Sequence, residues 1–319
     1  MLYRIILKTK SNFMGILSKL LDYSILFSFD RTGFHRHAKN FIPEEWRGEG
    51  KVAAITGGNS GIGFATAERL LRYKVEVHLL CRSKERGVEA KRKLKAKYPD
   101  STVVIHTLDL SDKQAIDTWV KMNAPSYIDI LINNAGGMLS TLHNNQAGDE
   151  LTWATHILGH YTLTMGLLEQ GNLRKGSRVI TVTSGGMYLH KLDLNDLAFK
   201  KRKYDKYTAY ANAKRAQVIL NQLWNKKFGS SLRFSCMHPG WVNTSGIRNA
   251  MPIFYRYLKH RLRTPKQGAD TILWLALTKN QYSGGKLWFD RSEAPEHKFQ
   301  FTKESEVDRN TLWDLLKKG

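Results

Sequence analysis

Tyr210 and Lys214 stand four residues apart in Tyr-Ala-Asn-Ala-Lys. On a helix that spacing puts a phenol and an ammonium on one face. A phenol with an ordinary pKa of about 10 transfers protons poorly at neutral pH. A neighbouring ammonium favours the phenolate and brings that pKa toward the working range. The pair is therefore chemistry for giving or taking one proton. Taken singly, the two residues also read as a core-edge tyrosine and a surface lysine.

A second stretch is built for an anion. Lys51–Thr56 reads as a short buried strand, and Phe64–Tyr73 carries helix formers with apolar residues at helical spacing. Between them lie Gly57, Gly58, Asn59, Ser60, Gly61, Ile62 and Gly63. Glycines let the backbone turn sharply and let a phosphate approach the peptide N–H groups. The helix that follows points its unpaired N–H groups and positive end at the same anion. The spacing is Gly-x-x-x-Gly-x-Gly rather than the more familiar Gly-x-Gly-x-x-Gly. A glycine loop alone is also an ordinary tight turn; the strand before it and the helix after it favour a dinucleotide site.

These groups must be positioned by the elements around them. Strands are expected at Val75–Cys81, Thr102–Leu108, Tyr127–Ile132, Arg178–Thr183, Leu232–Met237 and near Lys286–Asp290. Helices are expected at Lys84–Tyr98, Asp112–Met122, Asp149–Leu168, Tyr210–Trp224, Gln267–Thr278 and near Glu304–Lys317. Such alternation implies parallel strands with right-handed crossovers. The expected fold is α/β, a Rossmann-type doubly wound parallel sheet in a single domain. Residues 46–319 would form it, after a basic amphipathic extension and linker over residues 1–45. Ligands then gather at the carboxyl ends of the strands, where Asp109 and Asn133 fall.

The chain has 319 residues and 42% hydrophobic content, enough for one large globular domain. Its two cysteines, Cys81 and Cys236, suit buried free thiols better than a disulfide framework. No His/Cys cluster has zinc-like spacing, so no metal is expected. The net charge of +22 suggests attraction to anionic surfaces or ligands, or simply a solvated lysine-rich exterior. No basic–aromatic repeat resembles a nucleic-acid module, so no specific nucleic-acid partner is expected. Residues 1–29 are apolar and basic, with uncharged runs well short of the ~18–20 residues a spanning helix needs. Three readings stand for them: a segment lying in a membrane interface, a helix packed on the domain, or a mitochondrial transit peptide. The expected location is accordingly intracellular, cytoplasmic or peripheral on a membrane.

In dinucleotide folds an acidic residue after the second strand binds the ribose 2′-hydroxyl of NAD. Here Arg82 and Ser83 follow Cys81. A guanidinium and a hydroxyl suit the 2′-phosphate of NADP(H), which is preferred; NAD(H) stays open. The same two residues also read as a surface arginine and a helix N-cap.

Thr56-Gly-x-x-x-Gly-Ile-Gly63, Asn133-Asn-Ala-Gly136, Ser184, Tyr210-x-x-x-Lys214 and Pro239-Gly240 occur in the order and spacing of short-chain dehydrogenases/reductases. The chain resembles that family over about residues 50–290. Leu80-Cys-Arg-Ser83 and Thr264-Pro-x-x-Gly-Ala269 resemble its retinol-dehydrogenase-like branch. The resemblance implies that Tyr210 gives a proton to a carbonyl oxygen in reduction, or takes one from an alcohol in oxidation. Lys214 would also hold the nicotinamide ribose, and Ser184 would bind the substrate oxygen. The turn from Gly57 to Gly63 would carry the phosphates, with Ser60 and Ile62 in contact. Asp109 would meet the adenine, Asn133 the ribose side, and Val242 and Thr244, after Pro239, the nicotinamide amide.

One position departs from the family. An asparagine that supports a water in its proton relay is replaced here by His156, which can also hydrogen-bond a water or simply pack. The aromatic and basic stretch 245–263 falls where the family places a substrate lid, which suggests a small hydrophobic carbonyl or alcohol substrate, such as a lipid, steroid or retinoid. Those residues would equally pack on a partner subunit or a membrane. Family members often pair through the helices carrying His156 and Tyr210, so a homodimer is a further expectation. Three functions remain after this reading: an NADP(H)-dependent oxidoreductase, a catalytically weak or inactive NADP-binding scaffold of the same fold, or a nucleic-acid-binding protein, which charge alone motivates.

Overall fold

The computed structural model describes residues 25–318. Its strands are β1 (Val52–Thr56), β2 (Glu76–Cys81), β3 (Val103–Thr107), β4 (Ile130–Asn133), β5 (Arg178–Val182), β6 (Arg233–Met237), β7 (Leu287–Phe289) and β8 (Ser292–Ala294). They form one sheet in the order β3-β2-β1-β4-β5-β6-β7-β8, with the first seven parallel and β8 antiparallel. Every residue of β1 is buried, as a strand covered on both faces requires. Helices α1 (Arg31–Ala38), α2 (Gly61–Arg72), α3 (Lys84–Lys97) and α4 (Lys113–Met122) alternate with the early strands. Helix α5 is a continuous run made of Leu151–Trp153, Ala154–Gly159 and His160–Glu169; α6 is Lys206–Phe228. Then come α7 (Ser245–Ala250), α8 (Pro252–Leu258), α9 (Asp270–Leu277) and α10 (Glu306–Lys318).

Two separate cores sit on the two faces of the sheet. On one, α4, α5, α6 and α10 bury Ile116, Ile157, Leu220, Trp224 and Leu312. On the other, α2, α3 and α9 bury Leu70, Leu94 and Leu273. The sheet is thus doubly wound, as expected. Strand order reverses between β1 and β4, and the crevice outside such a switch point is where ligands bind in open α/β sheets. Cys81 and Cys236 are buried free thiols, and burial pushes them up to about 11 and about 12.

Three elements differ from the sequence expectation. The helix expected at Gln267–Thr278 is split: a turn over Pro265–Gly268, closed by a Thr264/Gln267 capping box, precedes α9. Strand β8 follows a turn in which Asp290 (φ 47°) and Arg291 (φ 60°) are both left-handed. That hairpin geometry normally announces itself with glycine or asparagine, which this turn lacks. Helix α5 contains a π-helical segment, Ala154–Gly159, in place of a regular helix.

The end of the stretch expected as an extension and linker before residue 46 contains α1 and is packed on the domain. Asp30 caps α1, accepting from Gly33 N–H at 2.9 Å. The Phe29 ring lies 4.7 Å from that of His238 and 5.2 Å from that of Phe289. Arg263, 0% exposed, donates to Ser28 O and Phe29 O at 2.9 Å and forks onto Asp290 at 2.6 and 2.8 Å. His37 closes the cluster with a 2.6 Å contact to Asp290. Residues 1–24, the greater part of the expected interfacial segment, lie outside the described residues. Among the described residues no helix is long and apolar enough to cross a membrane.

Removing one partner of a buried ion pair leaves an uncompensated charge and costs about 3–5 kcal/mol. Arg263→Ala is expected to lower the unfolding free energy by about that amount, read from urea denaturation, and to raise amide exchange across α1.

Candidate active site

The glycine turn is shaped by backbone needs alone. Gly57 (φ 66°) and Gly61 (φ 55°) are left-handed. A Cβ on Gly63 would sit 2.4 Å from Gly57 O and 2.6 Å from Asn134 Nδ2. The turn is pinned from below: Thr56 Oγ1 accepts from the N–H groups of Asn134 and Ala135 at 2.8 and 2.9 Å, and Asn134 Nδ2 donates to Thr56 O at 2.9 Å. Ser60 gives α2 no side-chain cap, so the first N–H groups of this helix are left for another acceptor. Asn59, Ser60, Gly61 and Phe64 line a cleft of about 500 Å³ against α3. Thr244 overhangs the turn, its Cγ2 3.3 Å from where a Gly61 Cβ would be. A phosphate-bearing cofactor suits this cradle, since the first N–H groups of α2 have no side-chain cap and open on the cleft.

At the carboxyl end of β5, Ser184 caps a short 3₁₀ turn, accepting from Gly186 N–H at 3.3 Å. Helix α6, capped by Asp205, carries Tyr210 and Lys214 up to the same place. Thr183 Oγ1 donates to Lys214 O at 2.7 Å and locks helix to strand. Lys214 Nζ donates to Val182 O at 2.9 Å and to Gln217 Oε1 at 3.1 Å, 5.5 Å from the Tyr210 ring centroid. Ser184, Tyr210 and Lys214 are therefore brought together.

Their electrostatics depart from the simple expectation. Burial raises the Tyr210 phenol, and the hydrogen bond that pulls it partly back comes from Ser184 rather than from the lysine. Burial also brings Lys214 down to about 7, so it is only half charged at neutral pH.

His156 lies in the π-helical segment with its ring 5.6 Å from that of Tyr210, at 82°. Its Nε2 accepts from Gly137 N–H at 2.9 Å, and a Cβ on Gly136 would meet that nitrogen at 2.4 Å. Burial holds the imidazole well below its usual range, so it is neutral. It holds the turn after β4 through Gly137 and packs beside Tyr210, while its Nδ1 is buried with no partner among the described residues.

The remaining positions divide. Val242 lies within 2.6 Å of where a Gly268 Cβ would be, beside Ile62, and Thr244 caps α7. Pro239 is buried at the end of β6, next to Gly240, whose φ is 71°. Asp109 accepts from the N–H and hydroxyl of Ser111 at 2.9 and 2.8 Å. Asn133 turns its side chain away from the cleft: it is 0% exposed and donates to Thr164 Oγ1 at 3.0 Å. Ser83 caps α3, accepting from Arg86 N–H at 3.2 Å, while Arg82 is exposed. Neither lines the cleft; Arg86 and Lys93 of α3 do, together with Glu85 and Glu89 of the same helix. Sequence reasoning passed over Arg86 and Lys93, although a basic residue one turn into the helix after β2 was there to be seen. In the expected lid, no residue of α8 is buried, and Ile253 and Tyr257 face outward.

The chain belongs to the short chain dehydrogenase family, whose model matches residues 51–252. Dehydrogenase/reductase SDR family member 12 of Bos taurus is 36% identical to it over 297 residues, which is 91% of this chain and 93% of that protein. Retinol dehydrogenase 11 of Mus musculus is 31% identical over 275 residues, 83% of this chain and 85% of the relative. The crystal structure of an uncharacterized protein from Mycobacterium paratuberculosis matches with a TM-score of 0.70 at 26% identity, covering 86% of this chain and 95% of that one. The chain is a short-chain oxidoreductase of the retinol-dehydrogenase-like branch, acting on alcohol or carbonyl groups with a nicotinamide cofactor.

Lys214 falls from its ordinary 10.5 to about 7 on folding. Between those values the unfolded chain binds the extra proton, so this group's penalty is full below pH 7 and fades as pH rises. Lys214→Met is expected to be more stable than wild type at pH 6.5, with the advantage shrinking toward pH 9. Urea midpoints of the two proteins, in which the cysteine contributions cancel, measure this.

Proposed function

We propose that this enzyme interconverts a hydrophobic carbonyl compound and its alcohol with NADP(H), using Tyr210 as general acid and base. The observation that carries the reading is the meeting of Ser184, Tyr210 and Lys214 at the strand ends beside the glycine turn. A bound nicotinamide supplies or accepts the hydride; the protein supplies orientation and the proton. Ser184 hydrogen-bonds the substrate oxygen, and Tyr210 Oη gives it a proton in reduction. Lys214, with two N–H donors spent on Val182 and Gln217, has a third for the cofactor ribose. A phenol held protonated by burial favours reduction at neutral pH, and oxidation gains as pH rises.

In this reading Gly57, Asn59, Ser60, Gly61, Ile62 and Gly63 hold the phosphates, with Asp109, Pro239, Val242 and Thr244 around the rest of the cofactor and Asn133, its side chain spent on Thr164, offering its backbone alone. Arg82 is joined by Arg86 at the 2′-phosphate, because Arg86 lines the cleft. The nucleotide-binding unit is proposed as residues 46–319, with the stretch before it strapped on. The substrate is a lipid, steroid or retinoid, admitted beside the aromatic and basic α8. Residues 1–29 would contact a membrane surface, and α5 and α6 a second subunit. A second reading, an inactive NADP-binding scaffold, is favoured by His156, packed against Tyr210.

Tyr210→Phe is expected to lower kcat/KM for NADPH-dependent reduction of aldehydes about 10²–10⁴-fold with unchanged cofactor affinity. Equal turnover in the two proteins would rule the phenol out, and no turnover in wild type would favour the scaffold. For the cofactor, wild type should bind NADPH well ahead of NADH, and Arg82→Asp with Arg86→Asp should erase that ratio. Comparable binding of both by wild type would remove the phosphate role from these arginines.

A further inference from the structure

Lys214 is a buried ammonium, yet among the described residues no carboxylate pairs with it. Val182 O and Gln217 Oε1 accept from it instead, at 2.9 and 3.1 Å. An ammonium only donates, so the glutamine must present its oxygen to Lys214 and its NH₂ to the far side. There Nε2 donates to His156 O at 3.1 Å. Both ends of the amide thus have partners compatible with only one orientation.

The acceptor at the far side belongs to the π-helical segment Ala154–Gly159. The inward-facing carbonyl of His156 takes the Gln217 amide and, at 3.1 Å, Nδ1 of His160. With Nδ1 donating, His160 Nε2 is an acceptor and lies 3.2 Å from Thr56 Oγ1, whose one proton it shares with Ile132 O at the same distance. That hydroxyl is the one that pins the glycine turn. The chain runs from Lys214 through Gln217, His156 O and His160 to Thr56, with every side chain in it at most 3% exposed. Water does not compete in such a place, and a missing partner is correspondingly costly.

We propose that Gln217 is a positioning residue for Lys214, its amide clamping the ammonium beside Tyr210 and tying it to the glycine turn through the π-helical carbonyl. The inference rests on the reading that Lys214 works with Tyr210 in catalysis. The titratable groups that face Lys214 are Tyr210 on its own helix, His156 and His160 on α5 and Cys236 on β6. Burial keeps all four neutral near pH 7, bringing His160 down to about 3 and Cys236 up to about 12. With no counter-charge present, the charge state of Lys214 depends on dipoles, and Gln217 is one of the two it touches.

The test uses full-length protein labelled with ¹³C-lysine, in which the Lys214 Cε signal is assigned by its loss in Lys214→Met and titrated with pH. Gln217→Leu removes an acceptor and should move the midpoint down by about one pH unit; Gln217→Glu supplies a negative charge and should move it up by at least as much. The alkaline limb of the rate profile for NADPH-dependent reduction should shift in the same opposite directions. Gln217→Asn, which keeps the amide on a shorter stem, should shift the midpoint down by less and stands in if the leucine variant does not fold. Midpoints that stay put, or that move the same way in the leucine and glutamate variants, overturn the assignment. If wild type reduces no carbonyl, the proposed activity falls while the titration still decides the role of Gln217.

Discussion

A lysine held inside the protein with no counter-ion among the described residues is the constraint around which the active end is arranged. An ammonium in a low-dielectric site drifts toward the neutral amine unless dipoles hold its proton. Here those dipoles come from the end of β5 and from the same helix one turn on, and the neighbouring histidines and thiol stay uncharged. Moving any of these elements by a fraction of a hydrogen-bond length would change the ionisation of the site. The rigidity of the two cores serves that requirement.

The two halves of the site are joined by buried polar contacts as well as by the apolar core beneath them. Thr56 receives two backbone N–H groups from the loop after β4, and the imidazole of His160 reaches it from α5. Cofactor cradle and proton donor therefore share one hydrogen-bonded framework. On the opposite flank, Arg263 ties the loop leading into α9 to residues 28–30 and to the β7–β8 turn. The left-handed Asp290 and Arg291 are held by Arg263 and by Asp270, at 2.6 and 2.7 Å. Those ion pairs take the place of the glycine that such a turn usually has.

The alternation of apolar strands with helices is local information, and the sheet, its two covered faces and the glycine turn could be read from it. That Tyr210 and Lys214 share a face could be read as well from their i, i+4 spacing, whereas the place of Ser184 beside them was implied by the family resemblance. Other features depend on contacts distant in sequence. Nothing around Gln217 distinguishes it from a surface glutamine until α5 is placed against α6. The side chain of Asn133 looked like a ligand because it sits at a strand end, but that end faces Thr164. The three residues of β8 are too few to show a period, and its turn lacks the expected chemistry. Helix α1 looked like a linker because its apolar residues are few; Phe29, just before it, carries the packing.

That last point bears on how the protein should be handled. Trimming the chain at the apparent edge of the nucleotide-binding unit, to shed the greasy leader, would also discard Ser28, Phe29 and Asp30. A fragment starting at residue 46 would keep a guanidinium stripped of three carbonyl acceptors beside a hole the size of a benzyl group, next to the β6 end that carries Pro239. Poor yield from so shortened a clone would report the missing plug, and not the folding competence of the enzyme itself.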